Sequence, residues 1–145
     1  MSSERKVDPF AALILVLSIV GIILIATQYF AGFSVSGYYR YACLDCEYST
    51  DGDIAAQVMM IILLIIQIVV VLNELLPNRF IDKDLTIIGL GLAALTILFA
   101  IIGLASFGAE YDDLVNSWWP ETGFYGGIVG GLLNLILFAL KYKNR

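Results

Sequence analysis

The chain has 145 residues, a formal net charge of −5 and no histidine. Hydrophobic residues make up 60% of it and the mean hydropathy is +0.89, against roughly 45–50% apolar residues in a soluble domain. This composition excludes an ordinary soluble fold, and the missing histidine, together with the lack of charge deep in any apolar block, argues against an enzyme or a proton pump.

The apolar excess falls in four blocks, each near the ~20 helical residues that a hydrocarbon core of about 30 Å requires. The first predicted helix covers 10–30, "FAALILVLSIVGIILIATQYF". A cleaved signal has an apolar run of only about 7–15 residues. Here the run is longer and the preceding "SSERKVDP" mixes acids with bases, so a retained helix is expected.

Residues 31–53 follow, rich in Tyr, Ser, Phe and Val, and the partial alternation in "FSVSGYYRYACLDCEYS" predicts a short hairpin. An isolated two-stranded hairpin is marginal. It therefore needs segment 108–122, or a partner protein, to pack on. The same stretch holds both cysteines, Cys43 and Cys46. Three readings of the pair stay open: a local disulfide staple, an exchanging redox couple, or thiols bonded to a partner. No metal is expected, because two thiolates without histidine supply half of a structural zinc shell.

The second predicted helix covers 54–76, with Asp53 a candidate cap after Gly52. The turn 77–84, "PNRFIDKD", is compact: Pro77 stops the helix, and Asp82 or Asp84 can cap the next one, over 85–107. That third helix carries a small face at Gly89 and Ala93, then Ala100 and Gly103. The fourth, over 123–141, opens "GFYGGIVGGLLN", in which Gly126 with Gly130 and Gly127 with Gly131 are two small-xxx-small pairs. Such spacing lets backbones approach closely; packing within this chain's own bundle is favoured over self-association. Gln67 and Asn134 are the only amides deep in the spans, and counted from Pro77 and Lys141 they lie within about one turn in depth. An interhelical hydrogen bond between them is expected, and a transport pathway is the sharper alternative.

Orientation follows from the basic residues. Arg5, Lys6, Arg79, Lys83, Lys141, Lys143 and Arg145 fall on the side of the termini, and Arg40 alone lies opposite. The positive-inside rule makes both termini cytoplasmic. The other side carries Asp45, Glu47, Asp51, Asp53, Glu110, Asp112, Asp113 and Glu121, with Trp118, Trp119 and all the tyrosines but Tyr142 at or beyond the interface. Such a face attracts cations, or is simply well solvated.

The layout resembles the claudin and peripheral myelin protein superfamily of tetraspans: four helices, both ends inside, and a larger first outer loop with two cysteines. Gly37-Tyr38-Tyr39 stands where that family's Gly-Leu-Trp lies, followed by Cys43 and Cys46, and "GFYGGIVGGLLNLI" is similar to its fourth span. The resemblance implies a bundle topology and a non-enzymatic role in membrane organisation or adhesion. The placement of Cys43 and Cys46 beyond the first helix also resembles bacterial membrane thiol oxidases of the DsbB type. Those need a second cysteine pair in the second outer loop, and residues 108–122 contain none.

The expected fold is thus an all-α integral membrane protein: an antiparallel bundle of four transmembrane helices with a small extracellular cap containing β-structure. It is expected in the plasma membrane, without a cofactor. Its expected partners are lipids, other membrane proteins or further copies of itself, met through the outer loops and the Gly-rich fourth helix, and not nucleic acid. The expected function is an interaction or accessory role; the alternatives are a thiol-disulfide oxidoreductase and an oligomeric cation-conducting pore.

Overall fold

The computed structural model describes residues 8–76, 78, 80–81, 83–111 and 117–144. Four helices and three strands run in the order α1 (Pro9–Thr27), β1 (Ala31–Val35), β2 (Tyr38–Ala42), α2 (Asp51–Leu75), α3 (Thr86–Tyr111), β3 (Ser117–Pro120) and α4 (Thr122–Lys143). All four helices are long and apolar enough to cross a membrane.

Local chemistry sets the helix ends. Asp8 caps α1 by accepting from the Phe10 N–H at 2.9 Å, with Pro9 preset for the first turn. The cap of α2 is Thr50 rather than Asp53, which sits inside the helix and answers it. The Asp53 N–H donates to Thr50 Oγ1 at 3.0 Å, and the Thr50 N–H donates to the Asp53 carboxylate at 2.6 Å, a reciprocal capping box. At the start of α3, Asp84 accepts from the Thr86 N–H at 2.9 Å; Pro77 and Asp82 lie outside the described residues. Asn73 ties the intervening turn to α2, donating to the Ile81 carbonyl at 3.0 Å and accepting from its N–H at 2.9 Å.

Each helix packs against its neighbours in the cyclic order α1–α2–α3–α4, with α4 returning to α1. Neighbours run antiparallel. Gly103 of α3 faces Ala56 and Thr96 faces Gln67 of α2, while Gly89 and Gly131 meet Phe138 of α4 and Ile97 of α3.

The strands form one antiparallel sheet in the order β2-β1-β3. The hairpin turns at Ser36 (φ 50°) and Gly37 (φ 82°), the left-handed pair of a two-residue hairpin loop whose twist matches its strands. The second segment supplies the support the hairpin needed: β3 pairs with β1, placing Trp118 opposite Phe33 and Trp119 opposite Gly32. The sheet closes one end of the bundle, held by backbone bonds from Phe30 to Ala42 (2.8 Å) and from Glu121 to Phe30 (2.9 Å).

Candidate functional sites at the sheet end and in the bundle

Beneath the sheet, Phe33 is buried with its ring stacked on Tyr111 at 4.3 Å and edge-on to Tyr48 at 5.8 Å. Tyr111 fixes that arrangement by donating its hydroxyl to the Tyr48 carbonyl at 2.5 Å. The tryptophans are turned to structural use. Trp118 lies over Gly108, where no Cβ would fit, and Trp119 lies over Gly32 with its Nε1 donating to Glu121 at 2.7 Å. The most exposed aromatic side chains of the described residues lie instead on β2, where Tyr38 and Tyr39 are 64% and 62% exposed, Tyr39 edge-on to Trp119 at 6.0 Å and Tyr38 beneath the Arg40 guanidinium. Asp45 and Glu47 are exposed in the loop that follows. Asp112 and Asp113, the other acids expected on this face, lie outside the described residues.

In that loop Cys43 and Cys46 come to disulfide distance, with their Cα atoms 4.9 Å apart. Ser49 braces the loop: its hydroxyl donates to the Cys43 carbonyl at 2.5 Å and accepts from the Cys43 N–H at 2.8 Å. A carboxylate oxygen of Asp45 lies 3.2 Å from the Cys43 sulfur. The two sulfurs and that carboxylate are the kind of cluster that could hold a metal, but joined sulfurs offer no thiolate to one.

Deep in the bundle, a line of hydrogen bonds touches all four helices. Asn134 of α4 donates both amide hydrogens, to Ser18 of α1 at 2.9 Å and to the Gln67 oxygen of α2 at 2.8 Å. Gln67 donates to Thr96 of α3 at 2.9 Å, and Thr96 passes its own hydrogen to the Leu92 carbonyl at 2.9 Å. All four side chains are fully buried. The sequence pointed to Gln67 and Asn134; it missed Ser18 and Thr96, although each lies near the middle of its helix, where a hydroxyl can be counted to the same depth as the amides. The line is nearly closed: among the described residues, Asn134 Oδ1 is its one buried polar atom without a partner. Every member is neutral, so it can position helices but cannot by itself carry a proton to a base.

The glycines divide by neighbour. A Cβ on Gly126 would lie 2.8 Å from the Leu24 Cβ of α1, one on Gly103 2.7 Å from the Ala56 Cβ, and one on Gly131 3.0 Å from Ile97. Gly127 faces Met60 and Gly89 the Phe138 ring just as tightly. Gly130 meets nothing within 4 Å.

At the end opposite the sheet, Asp8 pairs with Lys141, joining the start of α1 to the last turn of α4. Burial opposes ionisation of Asp8, but the Lys141 hydrogen bond and charge, with the Phe10 and Ala11 amides, outweigh it and hold the carboxyl below its ordinary range.

No family model, curated protein or solved structure matches this chain.

Proposed function

We propose that this is a plasma-membrane protein whose four helices span the bilayer with both termini cytoplasmic, and that it acts without catalysis as an interaction or accessory subunit. The observation that carries the reading is the sheet edge. Among the described residues strand β2 pairs on one side only, and it presents Tyr38 and Tyr39 to its surroundings beside exposed Asp45 and Glu47. Exposed edges invite further pairing, and tyrosine is enriched where proteins meet. The claudin-like layout, with a loop-borne sheet on a four-helix bundle, supports the same role in membrane organisation or adhesion.

A thiol-disulfide oxidoreductase is the second reading, favoured by the Cys43–Cys46 pairing in a partly exposed loop. It lacks a second cysteine pair to pass electrons, since the chain has only these two. A cation-conducting pore would have to form between copies, because side chains of the hydrogen-bonded line occupy the bundle interior.

The test is chemical crosslinking in native membranes of wild type, Tyr38→Ser/Tyr39→Ser and Cys43→Ser/Cys46→Ser. The interaction reading expects crosslinked neighbours to vanish with the tyrosines and persist without the cysteines. Crosslinked neighbours that vanish with the cysteine variant alone would replace it by the redox reading.

A further inference from the structure

Side chains alternate along each strand, so the sheet has two faces. Phe33 shares one face with Arg40 and Trp118, opposite it on β2 and β3, and this face packs on α3 through Phe107, Gly108 and Tyr111. Gly32 shares the other face with Tyr41 and Trp119, and by the same alternation with Ser34, Tyr39 and Ser117.

The bundle-side face already holds a cation. The Arg40 guanidinium lies 5.6 Å from the ring centre of Tyr38 and 5.4 Å from that of Tyr48, close enough for both ring quadrupoles to attract it. The outer face has the same kind of rings. Tyr39 stands at 66° to Trp119 with ring centres 6.0 Å apart, which makes a corner, and Tyr39 is largely exposed. Gly32 lets that corner form, since a Cβ there would come 3.0 Å from both Trp119 Nε1 and Tyr41. Glu121 adds a negative charge beside the indole, with one carboxylate oxygen accepting from Trp119 Nε1 at 2.7 Å. No cation of the chain answers it. Among the described residues Arg40 is the one basic side chain at the sheet end, and it belongs to the opposite face.

The polar groups of this face narrow the ligand. A sugar or a primary ammonium has to be met by several hydrogen-bonding groups. Here the Ser34 and Ser117 hydroxyls bond each other at 3.0 Å, and the Trp119 N–H is taken by Glu121. An anion is repelled by that carboxylate. A quaternary ammonium needs no hydrogen bond, only ring faces and a nearby negative charge.

We infer that the corner of Tyr39 and Trp119, with Glu121 beside it, binds a choline-type quaternary ammonium group. Its methyl groups rest on the two rings and its charge faces the carboxylate. Such a site needs no partner protein, and it stands whatever pairs with the β2 edge.

The experiment titrates the full chain in maltoside detergent with choline and with tetramethylammonium, reading tryptophan fluorescence. Saturation with a Kd of ~1 mM is expected for both. Potassium chloride at equal ionic strength, and dimethylbutanol, the uncharged carbon isostere of choline, should give no saturable response. Tyr39→Leu should weaken binding at least about fivefold, and Glu121→Gln, which keeps an acceptor for Trp119, about threefold. Tyr39→Phe keeps the ring and should bind as wild type does. Unchanged protease resistance of residues 31–42 shows that each variant keeps its sheet. A response still linear at about 100 mM, far above the expected Kd, equal saturation by dimethylbutanol, or wild-type affinity in both Tyr39→Leu and Glu121→Gln would each overturn the inference. Nanodiscs then separate the two sources of the group. A choline response equal in phosphatidylcholine and phosphatidylglycerol discs assigns the site to a free solute, and one abolished only in phosphatidylcholine assigns it to a lipid headgroup.

Discussion

At the sheet end, Phe33, Phe107 and Tyr111 pack ring against ring beneath a backbone ladder. Halfway down the bundle, Ser18, Asn134, Gln67 and Thr96 join four helices through side-chain hydrogen bonds instead. On the proposed four-span reading, the difference tracks the solvent around each region. Beside water, burying aromatic surface is itself a driving force, at roughly 25 cal/mol per Å². In lipid that force disappears between helices, and small-residue contacts and hydrogen bonds must set which faces meet. The glycine seams and the amide line are thus two halves of one solution, and the aromatic cap is another.

Four substitutions put the contrast to the test, strongest first. Phe33→Ala removes the centre of the cap and should cost about 3–5 kcal/mol locally. Limited proteolysis should then cut residues 31–42 while circular dichroism shows the helices intact; loss of helix and sheet together would mean that the two regions are one cooperative unit. Gly127→Val drives a branched side chain into Met60 and should destabilise the bundle by about 1–3 kcal/mol in a detergent melt, leaving the cap's protease resistance unchanged at low temperature.

The amide line should yield less. A double-mutant cycle of Asn134→Ala and Gln67→Ala is expected to give a coupling of about 0.6–2 kcal/mol. A coupling near zero would leave the glycine seams as the sole specifying element. The weakest effect belongs to the part-buried Asp8–Lys141 pair at the bundle end, about 1 kcal/mol or less once screening by nearby solvent is counted. Because its folded-state pKa is lowered, the contribution of Asp8 is present above the unfolded value of about 3.9 and is lost as pH falls through the lower folded value. The difference in melting temperature between wild type and Asp8→Asn should therefore stay constant from neutral pH down to about pH 5 and close only below about pH 4.

Uninterrupted apolar runs made the four helices readable from the residues alone, but their ends were harder. α1 stops at Thr27 rather than 30 because Phe30 gives its backbone to Ala42 and Glu121. α2 begins at Asp51 rather than 54 because Thr50 outcompetes Asp53 as cap. α3 runs on past 107 to Tyr111, whose ring and hydroxyl are claimed by Phe33 and Tyr48, partners far away in sequence. α4 gains Thr122 and reaches Lys143 rather than 141.

"SWWP" read as an interfacial aromatic belt, and only pairing with β1 makes it a strand. At the candidate sites, Gln67 and Asn134 stood out because an amide among leucines has few ways to be satisfied. Ser18 and Thr96 did not, since a helical hydroxyl can always fall back on its own backbone, as Thr96 does with Leu92. The distinction between Gly130 and its neighbouring glycines was beyond any spacing rule, because it depends on what stands opposite each position.

The measurement that bears most directly on this account is topological labelling in intact cells. A membrane-impermeant maleimide should react with Cys43 or Cys46 after mild reduction, and should fail to reach a cysteine placed at Asn144 in a Cys43→Ser/Cys46→Ser background until the membrane is permeabilised. Labelling at position 144 in sealed cells, with the native cysteines protected, would invert the molecule and contradict the account.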